Sequence, residues 1–132
     1  MINDEMINQC IEQINSKFPI KEQHREFMRL LCHYLASVNT LLPAVGQESL
    51  EIAQSYWLQE GGTPERMDAA RTQCWQYLDN KGSSIAIGDE VDTAMRAVLC
   101  VLYPTLDDED EIYDVAHWFF QMINRLGDYQ PI

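Results

Sequence analysis

The chain has 132 residues, 46% hydrophobic and 23% charged, with 21 Asp+Glu against 9 Lys+Arg and a formal net charge of -12. That composition fits one folded globular domain over residues 1–132 and excludes a disordered acidic tail. The negative field opposes unaided binding to nucleic acid or an anionic membrane, and points to a basic protein partner instead.

The periodicity is helical almost throughout. Met6, Ile7, Cys10, Ile11 and Ile14 form the first stripe, with Asp4 and Glu5 in the first turn, where the helix dipole favours acids. Phe18-Pro19 breaks it. A second helix is predicted from about Lys21 to Asn39, with Phe27, Leu30, Leu31, Tyr34, Leu35 and Val38 on one face. Its other face carries Glu22, Arg25, Glu26 and Arg29 at contact spacing. Pro43 suits the first turn of a third helix that ends near Glu60, with Leu50, Ala53 and Trp57 inward. Gly61-Gly62 stops it. Thr63 then caps a fourth helix with Pro64 at its first position. Met67, Ala70, Cys74, Trp75 and Leu78 are its expected core residues, and Trp75 is expected to be buried. Residues 79–84 read as a loop, and Ile85-Ala86-Ile87 is too short to assign.

Asp89 is placed to cap a fifth helix. Val91, Ala94, Met95, Val98, Leu99 and Leu102 repeat along it at helical spacing until Pro104. The sixth starts inside an acid run and carries Ile112, Val115, Ala116, Phe119, Ile123 and Leu126 before Gly127. The expected fold is therefore all-α, about six helices packed as one compact bundle-like domain.

Signals for chemistry are sparse. Cys10, Cys32, Cys74 and Cys100 are far apart and lie in helical patterns, which suits buried free thiols and not zinc ligands. Asp114 and His117 share a helical face, but a di-iron bundle needs a second such pair and further carboxylates. A calcium loop starting at Asp107 would need Gly and Glu where the chain has Ile112 and Trp118. No phosphate-binding, nucleophile-elbow or zinc-protease motif occurs. The expectation is no cofactor, no metal and no enzymatic activity. Arg71 follows Asp68 by three residues and Arg96 follows Asp92 by four, spacings of ordinary intrahelical ion pairs.

Charge is concentrated late in the chain. From Asp89 to Asp114 there are nine acids and one base, Arg96. Tyr103 and Tyr113 flank the acid run, and tyrosine brings large contact area at low rotamer cost. The candidate partner-binding residues are therefore Tyr103, Asp107, Asp108, Glu109, Asp110, Glu111, Tyr113 and Asp114. A solvated acidic helix start is the plainer reading of the same run.

Two stretches carry a resemblance: Ala70-Arg71-x-x-Cys74-Trp75-x-x-Leu78-Asp79 and Asp92-x-Ala94-x-Arg96-Ala97-Val98-x-Cys100-x-Leu102-Tyr103. Across residues 65–105 the chain resembles the small all-helical immunity proteins encoded beside bacterial polymorphic toxins. The resemblance implies a cytoplasmic, non-catalytic protein that binds and blocks a cognate toxin domain with a basic surface, a nuclease among the candidates. The first residues, Met-Ile-Asn-Asp-Glu, carry acids where a secretion signal has bases, which also suits the cytoplasm. The alternatives are an acidic adaptor or nucleic-acid mimic acting on another basic protein, and a small helical enzyme whose site the sequence does not reveal.

Overall fold

The computed structural model describes residues 4–17, 19–20, 22–59, 61–82, 90–103 and 109–126. Among them are six α-helices, one short 3-10 turn and no strand. The helices are α1 (Asp4–Lys17), α2 (His24–Ala36), α3 (Ala44–Leu58), α4 (Pro64–Lys81), α5 (Glu90–Leu99) and α6 (Glu109–Arg125), with the 3-10 turn at Asn39–Leu41. The protein is all-α, as the periodicity predicts. The expected Asp89 cap, Ile85-Ala86-Ile87, Pro104, Asp107, Asp108 and Gly127 lie outside the described residues, as do the side chains of Glu109 and Asp110.

Local chemistry sets both ends of α4. Thr63 caps α4, its hydroxyl accepting from the Arg66 amide at 3.2 Å, with Pro64 next. Such a cap stabilises a helix by about 1 kcal/mol. Several boundaries differ from the sequence reading: α2 ends at Ala36 and not at Asn39, and α5 ends at Leu99, before Leu102. Helix α2 begins at His24 and not near Lys21. Pro43 sits just before α3 in extended geometry, as its N-cap. Helix α4 does not stop at Asp79. It continues through Lys81 and ends at Gly82, whose φ of 79° lies in the left-handed region. Glycine adopts that conformation without a Cβ penalty, so the last turn stays helical until Gly82 supplies the exit.

Helix α5 lies at the centre, against α3, α4 and α6; α2 packs on α3 and α1 packs on α6. Every residue of α5 from Asp92 to Leu99 is buried. A stripe predicts one buried face; here both faces are covered, and the small residues Thr93 and Ala97 give neighbours room on the second. The α3–α5 approach is close enough that a Cβ on Gly46 would lie 2.6 Å from the Met95 sulfur. The largest buried side chains include Phe27, Phe119, Phe120, Leu31, Leu35, Leu50 and Leu78. Of the adjacent pair Trp118 and Phe119, Phe119 is the core residue, and Trp118 is half-buried.

The expected core tryptophan is misplaced in the sequence reading. Trp75 is half-buried at the edge of the core, whereas Trp57 is only 2% exposed. Trp57 donates its indole N–H to the Val101 carbonyl at 2.8 Å. That bond satisfies a carbonyl at the end of α5 that has no helical partner. Both tryptophans lie at inward helical spacing, and only the assembled neighbours decide between them.

Candidate functional site

Three of the eight described basic side chains are turned toward the protein's own backbone. Arg25 and Arg29 stand one turn apart on α2. They donate to the Tyr56 carbonyl at 2.9 Å and the Leu58 carbonyl at 3.4 Å, near the C-terminus of α3. Arg71 donates to the Leu102 carbonyl at 2.9 Å, just past α5. Cations at helix C-termini complement both the orphan carbonyls and the dipole. Arg25 also lies 5.8 Å from the rings of Tyr56 and Trp57.

Two basic groups reach further inside. Arg96 is 7% exposed, with its guanidinium 5.7 Å from the Trp75 ring and 5.9 Å from the Trp118 ring. Aromatic faces attract a desolvated guanidinium. Asp92 is fully buried, and its Oδ1 lies 2.9 Å from Lys81 Nζ. At that oxygen the approach is a close charge contact and not an aligned hydrogen bond. The spacing of Asp92 and Arg96 is that of an ordinary intrahelical ion pair, with a buried helix junction as the second reading. Both are interior, and the Asp92 carboxylate meets a lysine from the end of α4. Arg71 does pair with Asp68, at 2.8 Å, as its spacing predicts.

The acids face the other way. Of the thirteen acids whose side chains are described, twelve are exposed, against four of the eight described bases. The outer surface is thus more one-sided than the composition, since half the described cations are withdrawn from full exposure. Met6, at 48% exposure, is the only large hydrophobic side chain exposed among the described residues.

The candidate partner-binding residues divide. Glu111 and Asp114 are exposed on α6. Tyr113 is half-buried, and its hydroxyl donates to Asn15 Oδ1 of α1 at 3.3 Å. Tyr103 is not the exposed anchor expected. It is half-buried, with the Arg71 guanidinium 4.7 Å over its ring. Burial pushes its hydroxyl pKa up, Cys100 adds to the rise, and Arg71 with a hydrogen bond to Trp75 opposes it. Tyr103 thus serves the α4–α5 junction.

What α6 does present is a groove shared with α1, about 490 Å³ in volume. Asn8, Ile11, Glu12 and Asn15 line it from α1, and Tyr113, Asp114 and His117 from α6. Asn15 Oδ1 also accepts the Ile20 amide at 3.0 Å, so one amide fixes both the turn after α1 and the Tyr113 ring. A second groove, about 360 Å³, lies between α3 and the start of α4 and is lined by Glu48, Glu51, Ile52, Ser55, Gly62 and Arg66. The α1 residues of the first groove were missed from the sequence. Their signal is the polar row Asn8, Glu12 and Asn15 at i, i+4 and i+7, beside the apolar row Ile7, Ile11 and Ile14.

All four cysteines are free and buried. Burial raises each thiol pKa, that of Cys32 to about 12. Cys74 lies 3.3 Å from the Ser49 hydroxyl, a bond that opposes part of the rise. Among the described residues no three His, Cys, Asp or Glu side chains are grouped to hold a metal ion, and no helix is long and apolar enough to cross a membrane. Compared with family models, curated proteins and solved structures, the chain gives no match.

Proposed function

We propose that this chain is a non-enzymatic binding protein that recognises a basic protein partner through its acidic exterior. In its specific form, it is an immunity protein that occludes the basic surface of a cognate toxin domain in the cytoplasm. The observation that carries the reading is the division of charge: the acids point outward while arginines of α2, α4 and α5 serve carbonyls and aromatic rings of the same chain. An exterior with few exposed bases attracts a cationic surface at long range and repels nucleic acid. The scarcity of exposed large hydrophobics supports recognition through charge and hydrogen bonds. Glu111, Tyr113 and Asp114 are the described members of the binding surface, continuous with Glu12 on α1.

Affinity capture from the native host, with washes at stepped salt, tests the reading. The expected result is a basic protein, most informatively the product of an adjacent toxin-like gene, retained at low salt with an association rate that falls steeply as salt rises. Capture of only neutral or acidic partners with salt-independent binding would refute it.

A further inference from the structure

The α3–α4 and α1–α6 grooves differ in their charged lining. The α3–α4 groove carries Glu48 and Glu51 together with Arg66, a cation of its own. The α1–α6 groove carries Glu12 and Asp114 with no lysine or arginine among its described lining residues. Among the described residues, neither carboxylate makes an ion pair or side-chain hydrogen bond. The remaining lining is mostly polar and partly fixed: two amides, an imidazole and a phenol whose hydroxyl donates to Asn15, with Ile11 the apolar member. A carboxylate from each of two packed helices, side-chain amide acceptors and an aromatic ring in one lining match the needs of a planar, five-donor cation. A guanidinium can bond a carboxylate in a fork and lie against a tyrosine face; an ammonium is a point charge that uses less of this geometry.

We propose that the α1–α6 groove receives an arginine side chain of the protein partner, held by Glu12 from α1 and Asp114 from α6 against Tyr113. This rests on the reading of the chain as a binder of a basic protein and names where one residue of that partner docks. The inserted guanidinium supplies the groove with the cation that Arg66 supplies to the other one. Charge attraction alone would spread over the whole exterior, whereas the groove gives one cation a fixed address.

The test uses the full chain, labelled with nitrogen-15, titrated with N-acetyl-arginine methylamide while amide shifts are followed. The lysine analogue and putrescine serve as parallel probes. Saturable shifts concentrated at Asn8, Glu12, Asn15, Asp114 and His117 are expected, with the arginine probe bound more tightly than either amine. Glu12→Gln with Asp114→Gln should weaken it about tenfold or more, while Glu48→Gln with Glu51→Gln should leave it unchanged. Both pairs of side chains are exposed, so circular dichroism should report an intact fold for each variant. Shifts spread evenly over all acidic helices, no saturable shift, or unchanged binding by the Glu12/Asp114 variant would each overturn the proposal. Once a basic partner has been captured, equal partner binding by that variant overturns the groove assignment and leaves the wider reading standing. Failure to capture any basic partner refutes the wider reading, and the arginine titration still decides the groove.

Discussion

Removing the ammonium of Lys81 should destabilise the protein through a residue that never touches solvent. Asp92 is 0% exposed in the first turn of α5, and Lys81 Nζ stands 2.9 Å from its Oδ1. At that separation an effective dielectric of about 20 gives roughly 5–6 kcal/mol of attraction. Most of this is offset by the desolvation of the carboxylate. Lys81→Met removes the attraction and leaves the desolvation cost, a loss of about 3–5 kcal/mol for a fully enclosed pair. The Lys81 side chain is 35% exposed, so water screens the pair and can partly replace the ammonium; about 2–3 kcal/mol is the expected cost. For a chain of this size that lowers the melting temperature by roughly 6–12 °C. Thermal unfolding followed at 222 nm at pH 7.5 measures it, with Lys81→Arg as the control that keeps the charge. The second readout is a double-mutant cycle with Asp92→Leu. Because replacing a buried pair by apolar groups is often neutral, the double variant should be more stable than the Lys81→Met single variant. A Lys81→Met melting temperature within about 2 °C of wild type would refute the reasoning and show that Lys81 does not help hold the start of α5.

The two tryptophans should separate clearly: Trp57→Ala should cost about 3–5 kcal/mol by denaturant unfolding, as for large core truncations, and Trp75→Ala distinctly less, since Trp75 is half-buried; the reverse order would overturn the core assignment. His24 lies edge-on to Trp57 with its Nε2 buried and without a hydrogen-bond partner among the described residues, and burial lowers its pKa. Below the ordinary histidine value of about 6.5 the unfolded chain therefore takes up a proton that the folded chain resists. Stability should fall as pH drops from about 7.5 toward 5.5, and His24→Phe should flatten that slope; parallel slopes would contradict it. The thiols should resist a disulfide reagent at pH 8 in the native protein and react at four per chain once denatured, with Cys10, the least enclosed, modified first; immediate reaction of all four in the native state would refute their burial.

The division between local and tertiary information runs through particular residues. Helical stripes, the Thr63-Pro64 start of α4 and the glycine and proline stops are local, because a helix with a capped end needs only its own near neighbours. Those features made the all-α fold and most of its helices legible from the chain. The arginine–carbonyl contacts were not legible. Arg25 and Arg29 occupy an i, i+4 row that reads as a solvated mixed-charge face, and the arrival of the α3 C-terminus gives them backbone carbonyl acceptors. The same holds for α5: its pattern predicts one apolar face, but packing by α3, α4 and α6 encloses the other, so Asp92 and Arg96 become interior groups. The acid run drew attention to α6 by charge density alone. The groove needs Asn8, Glu12 and Asn15, about a hundred residues earlier, and α1–α6 packing brings them beside Tyr113, Asp114 and His117. Periodicity states which face of a helix is apolar. It does not state which helix will cover that face, and it is the covering helix that decides whether a charged side chain meets water, a backbone carbonyl or another charge.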